Sequence, residues 1–109
     1  MSQRTNKVAS LVQQIVAAEL AQVPNSARLT VTGVQASPDL RNATIWISVI
    51  AHDEAAAQHL FKTVALPARE QLQEAVARRL TTKFVPRLTV QRDTGGEYAD
   101  QINRLIKGL

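Results

Sequence analysis

The sequence predicts an α+β fold in the order helix, strand, strand, bent helix, strand, helix. Three observations lead there. Apolar residues recur at helical spacing in separate stretches near both ends and in the middle of the chain. Short runs rich in β-branched residues alternate between apolar and polar. A proline, Pro67, sits inside the longest helical stretch, where it removes a hydrogen bond and kinks the helix.

The first helix is read from Val8, Leu11, Val12, Ile15, Val16 and Leu20, and Pro24-Asn25-Ser26 punctuates its end. Leu29 to Val34 forms a first strand. Ser37-Pro38-Asp39 is a turn, with proline fixing its own φ and the short polar side chains bonding nearby backbone. In the second strand Ala43, Ile45, Ile47 and Val49 share one face, with Thr44, Trp46 and Ser48 on the other. Two strands joined by so short a connection should pair as an antiparallel hairpin. Asp53 is placed to cap a long helical stretch reaching about Leu80, bent near Leu66–Arg69 by Pro67. Its second half should bury Leu72, Val76 and Leu80, and turn Arg69, Arg78 and Lys83 outward. Leu88-Thr89-Val90 follows Pro86 as a third strand. Thr94 with Glu97 matches a capping box and opens a last helix. That helix carries the stripe Tyr98, Ile102, Leu105, Ile106 and Leu109, and an ion pair between Asp100 and Arg104.

At 109 residues the chain is expected to be one domain, 1–109. Its 45% hydrophobic content excludes wholesale disorder, and its 4% aromatic content requires a core of Val, Ile, Leu and Ala. So few aromatics also argue against a protein that reads single strands through rows of stacked rings. The chain has no cysteine, hence neither disulfides nor a thiolate metal site. Gln13, Gln14 and Glu19 break up the N-terminal apolar stretch, so it is not a signal peptide, and no run is long enough to cross a bilayer. A cytoplasmic protein without membrane contact is expected.

Charge is the informative feature. Lys62, Arg69, Arg78, Arg79, Lys83, Arg87 and Arg92 are accompanied in their segment only by Glu70 and Glu74, while the rest of the chain nearly cancels. A basic segment inside a foldable pattern is the electrostatic footprint of a nucleic-acid binder. Arg78, Arg79, Lys83 and Arg87 are the main candidates, since Arg grips phosphate oxygens bidentately and Lys adds a point charge. The plainer reading is a solvated helix end whose cations oppose the helix dipole. Arg69 is a further candidate because a bent helix can present backbone amides to phosphate. Arg4 and Lys7, about one helical turn apart, would extend the surface.

Other candidates fail on chemistry. Trp46 is better placed for packing under a helix than for stacking on a base. His52 and His59 lack a third metal ligand, and Asp39 is explained by its turn. With no phosphate-cradling glycine loop and no nucleophile beside a base, an enzyme is not expected, nor any cofactor.

The ordered set of segments resembles the bacterial ribosome-binding factor A family. Ser37 to Val49, SPDLRNATIWISV, matches the family's turn and alternating strand, and Arg4 through Leu20 is similar to its first helix. Arg78 to Asp93, RRLTTKFVPRLTVQRD, corresponds to its basic helix end, proline-led strand and Asp, and Ile102, Leu105 and Ile106 continue the match. The resemblance implies a KH type II-like fold: a three-stranded sheet backed by helices, with a helix–kink–helix unit and no Gly-x-x-Gly loop. It also implies a factor that acts on the immature small (30S) ribosomal subunit; with no catalytic site in the sequence it is expected to be non-enzymatic, and a monomer is expected. Such a factor contacts 16S rRNA around the neck and decoding region, and assists late maturation and 5′-end processing. Where the family's bend reads Ala-x-Gly, this chain has Ala68-Arg69-Glu70; Arg87 replaces the usual Glu, and Pro24-Asn25-Ser26-Ala27 replaces Asp-Pro-Arg. The alternative from another class is a small α+β protein-interaction module, docking through a sheet edge or its last helix.

Overall fold

The computed structural model describes residues 3–95. Helix α1 (Gln3–Leu20) leads to strands β1 (Leu29–Ala36) and β2 (Asn42–Val49), then α2 (Glu54–Leu60), a π-helical turn (Phe61–Ala65), α3 (Arg69–Arg79) and β3 (Arg87–Arg92). The expected last helix, with its Thr94–Glu97 capping box, apolar stripe and Asp100–Arg104 pair, lies outside the described residues.

The helices form because their apolar stripes have a sheet face to cover. Along α1, Val8, Val12, Ile15, Val16 and Leu20 are buried, whereas Leu11 is 39% exposed because it flanks that stripe. Alpha3 contributes Leu72, Ala75 and Val76, all fully buried, against the same face, and Leu80 follows at its end. From the sheet, Val34, Ala43, Ile45, Ile47, Leu88 and Val90 complete one continuous core.

Beta1 and β2 pair antiparallel, as their short connection requires. Strict alternation along β1 would put Leu29 and Val31 on one face and Val34 and Ala36 on the other. The pairing instead slips between Val31 and Gly33, so that Val31 faces Ile47 and Val34 faces Ile45. This one-residue bulge at Thr32 resets the phase, and all four apolar residues reach the core face. In the turn, Ser37 donates to Asp39 Oδ1 at 2.6 Å, the Arg41 N–H donates to the same oxygen at 3.1 Å, and Leu40 takes a left-handed φ of 61°.

Beta3 joins the other edge of β2 in parallel, giving the order β1-β2-β3. Parallel neighbours need a long crossover, and α2, the π turn and α3 supply it. Asp53 caps α2 as expected, its Oδ1 accepting the Ala56 N–H at 2.7 Å. The bend is softer than a break. Pro67 has no N–H, and just before it the Leu66 N–H reaches back five residues to the Phe61 carbonyl at 3.0 Å. The backbone stays right-handed helical at Leu66 and Ala68, so the path turns without leaving the helical region. The helix–strand order, the mixed sheet and the kinked helix pair are those of the expected KH type II-like arrangement.

Side-chain links hold the crossover to β3. Gln73 of α3 donates to the Pro86 carbonyl at 2.9 Å and accepts the Leu88 N–H at 2.8 Å. Arg92 forms a bidentate pair with Glu54 at the start of α2, its Nη2 lying 2.9 Å from Oε2, and also donates to Gln58. Arg92's hydrogen bond holds the Glu54 carboxyl below the usual carboxylate range. A depressed folded-state pKa means that the contribution is complete above the unfolded value, near 4.5, and disappears as pH falls through the lower folded value. Below about pH 4.5 the wild-type urea midpoint should therefore fall more steeply than that of Glu54→Gln. Parallel pH profiles for the two proteins would remove the pair from the acid response.

Candidate nucleic-acid interface

Chain direction brings most of the basic candidates to one pole. Alpha1 runs toward the start of β1, so its N-terminal end lies beside the β1–β2 turn, where Arg4 shares a groove with Pro38 and Asp39, and Lys7 follows about one turn along the helix. Beta3 is parallel to β2 and begins opposite Asn42, so Arg87 starts at that same end. The Arg87 N–H donates to the Arg41 carbonyl at 2.8 Å, which ties the two segments together. Alpha3 ends with Arg78 and Arg79, and the short loop to β3 carries Lys83. A groove of about 310 Å³ joins these parts, lined by Arg4, Pro38, Asp39, Lys83 and Phe84 among others.

These cations are available. Arg4, Lys7, Arg78, Arg79, Lys83 and Arg87 are all exposed. Among the described residues Arg92 pairs with Glu54 and His52 contacts Asp53, so no carboxylate of those residues neutralises any of the six. Glu74 stands four residues before Arg78, at helical pairing distance, yet no pair forms there. Opposing the α3 dipole contributes at most about 1 kcal/mol per charge at an exposed helix end. That stabilisation leaves the guanidinium N–H groups open to an incoming phosphate.

Arg69 differs from its sequence-based description. It is half-buried, and its Nε donates to the Leu88 carbonyl at 2.8 Å, so it braces α3 against β3. The backbone amides at the bend are likewise taken, contrary to the expectation that they are open to phosphate. The N–H groups of Leu66, Ala68 and Arg69 donate to the Phe61, Val64 and Leu66 carbonyls, so the bend uses them in its own backbone hydrogen bonds. Arg92, counted in the basic segment, is held by Glu54.

Two residues at the pole escaped the sequence reading. Arg41 sits in the turn between Asp39 and β2, exposed. Phe84 is 62% exposed, with the Lys83 Nζ 5.5 Å from its ring centroid. The available signal was an aromatic directly after a lysine in a polar loop, which reads equally well as the start of the next strand.

The discounted residues behave simply. Trp46 is buried, but β-alternation puts it on the sheet face opposite Ile45 and Ile47, outside the core cluster under the helices. His52 and His59 line one open cavity with Arg28 and Asn25, and the described residues hold no group of three or more metal-binding side chains. No helix among them is long and apolar enough to cross a membrane.

Comparison with known proteins bears on the family and the fold. A family model described as ribosome-binding factor A matches residues 4–106. The ribosome-binding factor A of Geobacter metallireducens is 32% identical over 115 residues, covering 100% of this chain and 93% of that protein. The crystal structure of ribosome-binding factor A from Thermus thermophilus superposes with a TM-score of 0.62 at 22% identity, over 81% of this chain and 93% of the other. Coordinates of the Thermus thermophilus factor fitted into a cryo-EM map of its 30S complex superpose with a TM-score of 0.57 at 24% identity, over 76% and 88% of the two chains.

Proposed function

The chain belongs to the ribosome-binding factor A family, and from that membership we propose that it binds the small ribosomal subunit, gripping rRNA phosphates at its basic pole. The observation that carries this reading is the set of exposed cations, Arg78, Arg79, Lys83 and Arg87 with Arg4 and Lys7, that no carboxylate of the described residues neutralises. The finer reading is an assembly factor for the immature 30S particle, assisting late maturation and 5′-end processing of 16S rRNA. It is cytoplasmic and monomeric, a single domain over 1–109. No bond chemistry is required of it. A ligand that binds one RNA arrangement more tightly than another shifts the population toward it, by no more than that difference in affinity. Arg69 stands apart from the grip, as a brace whose remaining N–H groups can add one contact near β3.

Sedimentation of the protein with purified small subunits tests the reading across a salt series. If about five phosphates are neutralised in single-stranded segments, log affinity falls with log salt at a slope of about −3.5. A flat response would contradict the phosphate grip. Retention of a protein partner from nuclease-treated lysate, without association with small subunits, would favour the interaction-module reading instead.

A further inference from the structure

We propose that the groove at the basic pole is a subsite for one unstacked nucleotide of single-stranded RNA. Phe84 carries the base, Arg4 and Lys83 hold its phosphate, and Asp39 selects a base bearing an exocyclic amino group. The inference rests on the RNA-binding reading above and adds a position and a preference to it.

Phe84 is the starting observation. A phenylalanine 62% exposed, in a chain with 4% aromatics, leaves most of its ring in water at the mouth of a charged groove. Base stacking on such a ring is sequence-tolerant, because every base has a π-face. The loop is set for it: the Thr82 hydroxyl donates to the Phe84 carbonyl at 2.8 Å, and the Lys83 ammonium lies 5.5 Å from the ring centroid. That cation lies over one face of the ring, so the base stacks on the other face and its phosphate falls to the mobile ammonium and to Arg4. Arg4 enters the same groove from the first turn of α1. At about 310 Å³ the groove is at the small end of ligand-binding cavities, which suits one splayed nucleotide rather than a duplex.

Asp39 is the acidic member of this lining and decides which base fits. Its bonds from Ser37 and from the Arg41 N–H both fall on Oδ1, so the turn holds the carboxylate without engaging Oδ2. The Ser37 hydrogen bond, then that of Arg41, also keeps the group below its ordinary pKa, so it is ionised at neutral pH. An ionised carboxylate only accepts hydrogen bonds. It pairs with the N4 amino group of cytosine and repels the O4 carbonyl that uracil places there.

The test uses fluorescence anisotropy at one fixed low salt concentration, with 5′-fluorescein-labelled oligocytidine and oligouridine of equal length. Wild-type protein should bind the cytidine probe about five-fold more tightly. Asp39→Asn keeps the Oδ1 acceptor of the turn but adds a donor, so the preference should shrink to within about two-fold. Phe84→Ala, at an exposed position, should lose about ten-fold or more on both probes while circular dichroism stays unchanged. Equal wild-type affinity for the two probes, no binding of either, or variants that match wild type would each overturn the subsite. None of these touches the ribosome reading, which stands or falls separately on the salt-dependent sedimentation of the wild-type protein.

Discussion

Cutting Leu72 back to alanine should lower the unfolding free energy by about 2–5 kcal/mol, the range for a leucine removed from a core that cannot collapse around the cavity. Leu72 is fully buried on α3, in one cluster with Val12 and Val16 of α1 and with Ile45 and Leu88 of the sheet. Alpha3 packs on both α1 and β3, and Leu72 lies fully buried in the cluster they share. Alpha3 spans only 11 residues, too short to persist on propensity alone, so its stability comes from the face it buries. Against a typical total of about 5–15 kcal/mol the loss is large enough to populate the unfolded state. Urea denaturation gives the number. Leu66→Ala serves as the control: Leu66 is 43% exposed and should shift stability by only about 0.5 kcal/mol. A Leu72→Ala change as small as the control's would show that the cluster is not packed on this residue.

The fold was legible where local chemistry decides the outcome. Helical spacing marked α1, turn chemistry marked Ser37–Asp39, and Pro67 marked the bend, because each feature acts within a few residues of itself. The parallel pairing of β3 with β2 was not legible, since a crossover leaves no local mark that states which edge the returning strand joins. The bulge at Thr32 was readable in principle: Leu29, Val31, Val34 and Ala36 cannot share a face at strict period two. The π turn before Pro67 was not legible either, since proline alone does not distinguish it from a clean break.

For the site, residue type indicated charge but not engagement. Arg69, Arg78 and Arg92 look alike in the sequence, yet Arg69 braces Leu88, Arg92 grips Glu54 and Arg78 makes no ion pair with any described residue. The difference is set by partners 19 and 38 residues away in the chain, contacts that exist only once the crossover has folded. Phe84 and Arg41 escaped for the converse reason. Each is ordinary beside its sequence neighbours, and the groove appears only when the turn, the α3–β3 loop and the start of α1 come together.

Reversing the charge of two adjacent residues, Arg78→Glu with Arg79→Glu, should weaken association with small subunits by about a hundred-fold or more, since each charge-assisted hydrogen bond contributes about 1.5–3 kcal/mol and repulsion adds to its loss. Folding should survive. Both side chains are exposed and make no ion pair in the described structure, so the cost to stability is that of placing acid at a helix C-terminus, about 1 kcal/mol per residue at most. The salt series separates a lost contact from a general change in field. Removing two phosphate contacts on single-stranded RNA should make the slope shallower by about 1.4, from about −3.5 to about −2. Charge reversal at Arg92 should do the opposite. There the Glu54 pair breaks and stability falls, while the salt slope of the protein that remains folded is kept, because Arg92 is already committed inside the molecule. If the Arg78/Arg79 variant kept the wild-type slope, those two guanidinium groups would not be on phosphate, and the grip would have to be carried by the first turn of α1 and the loop at Lys83.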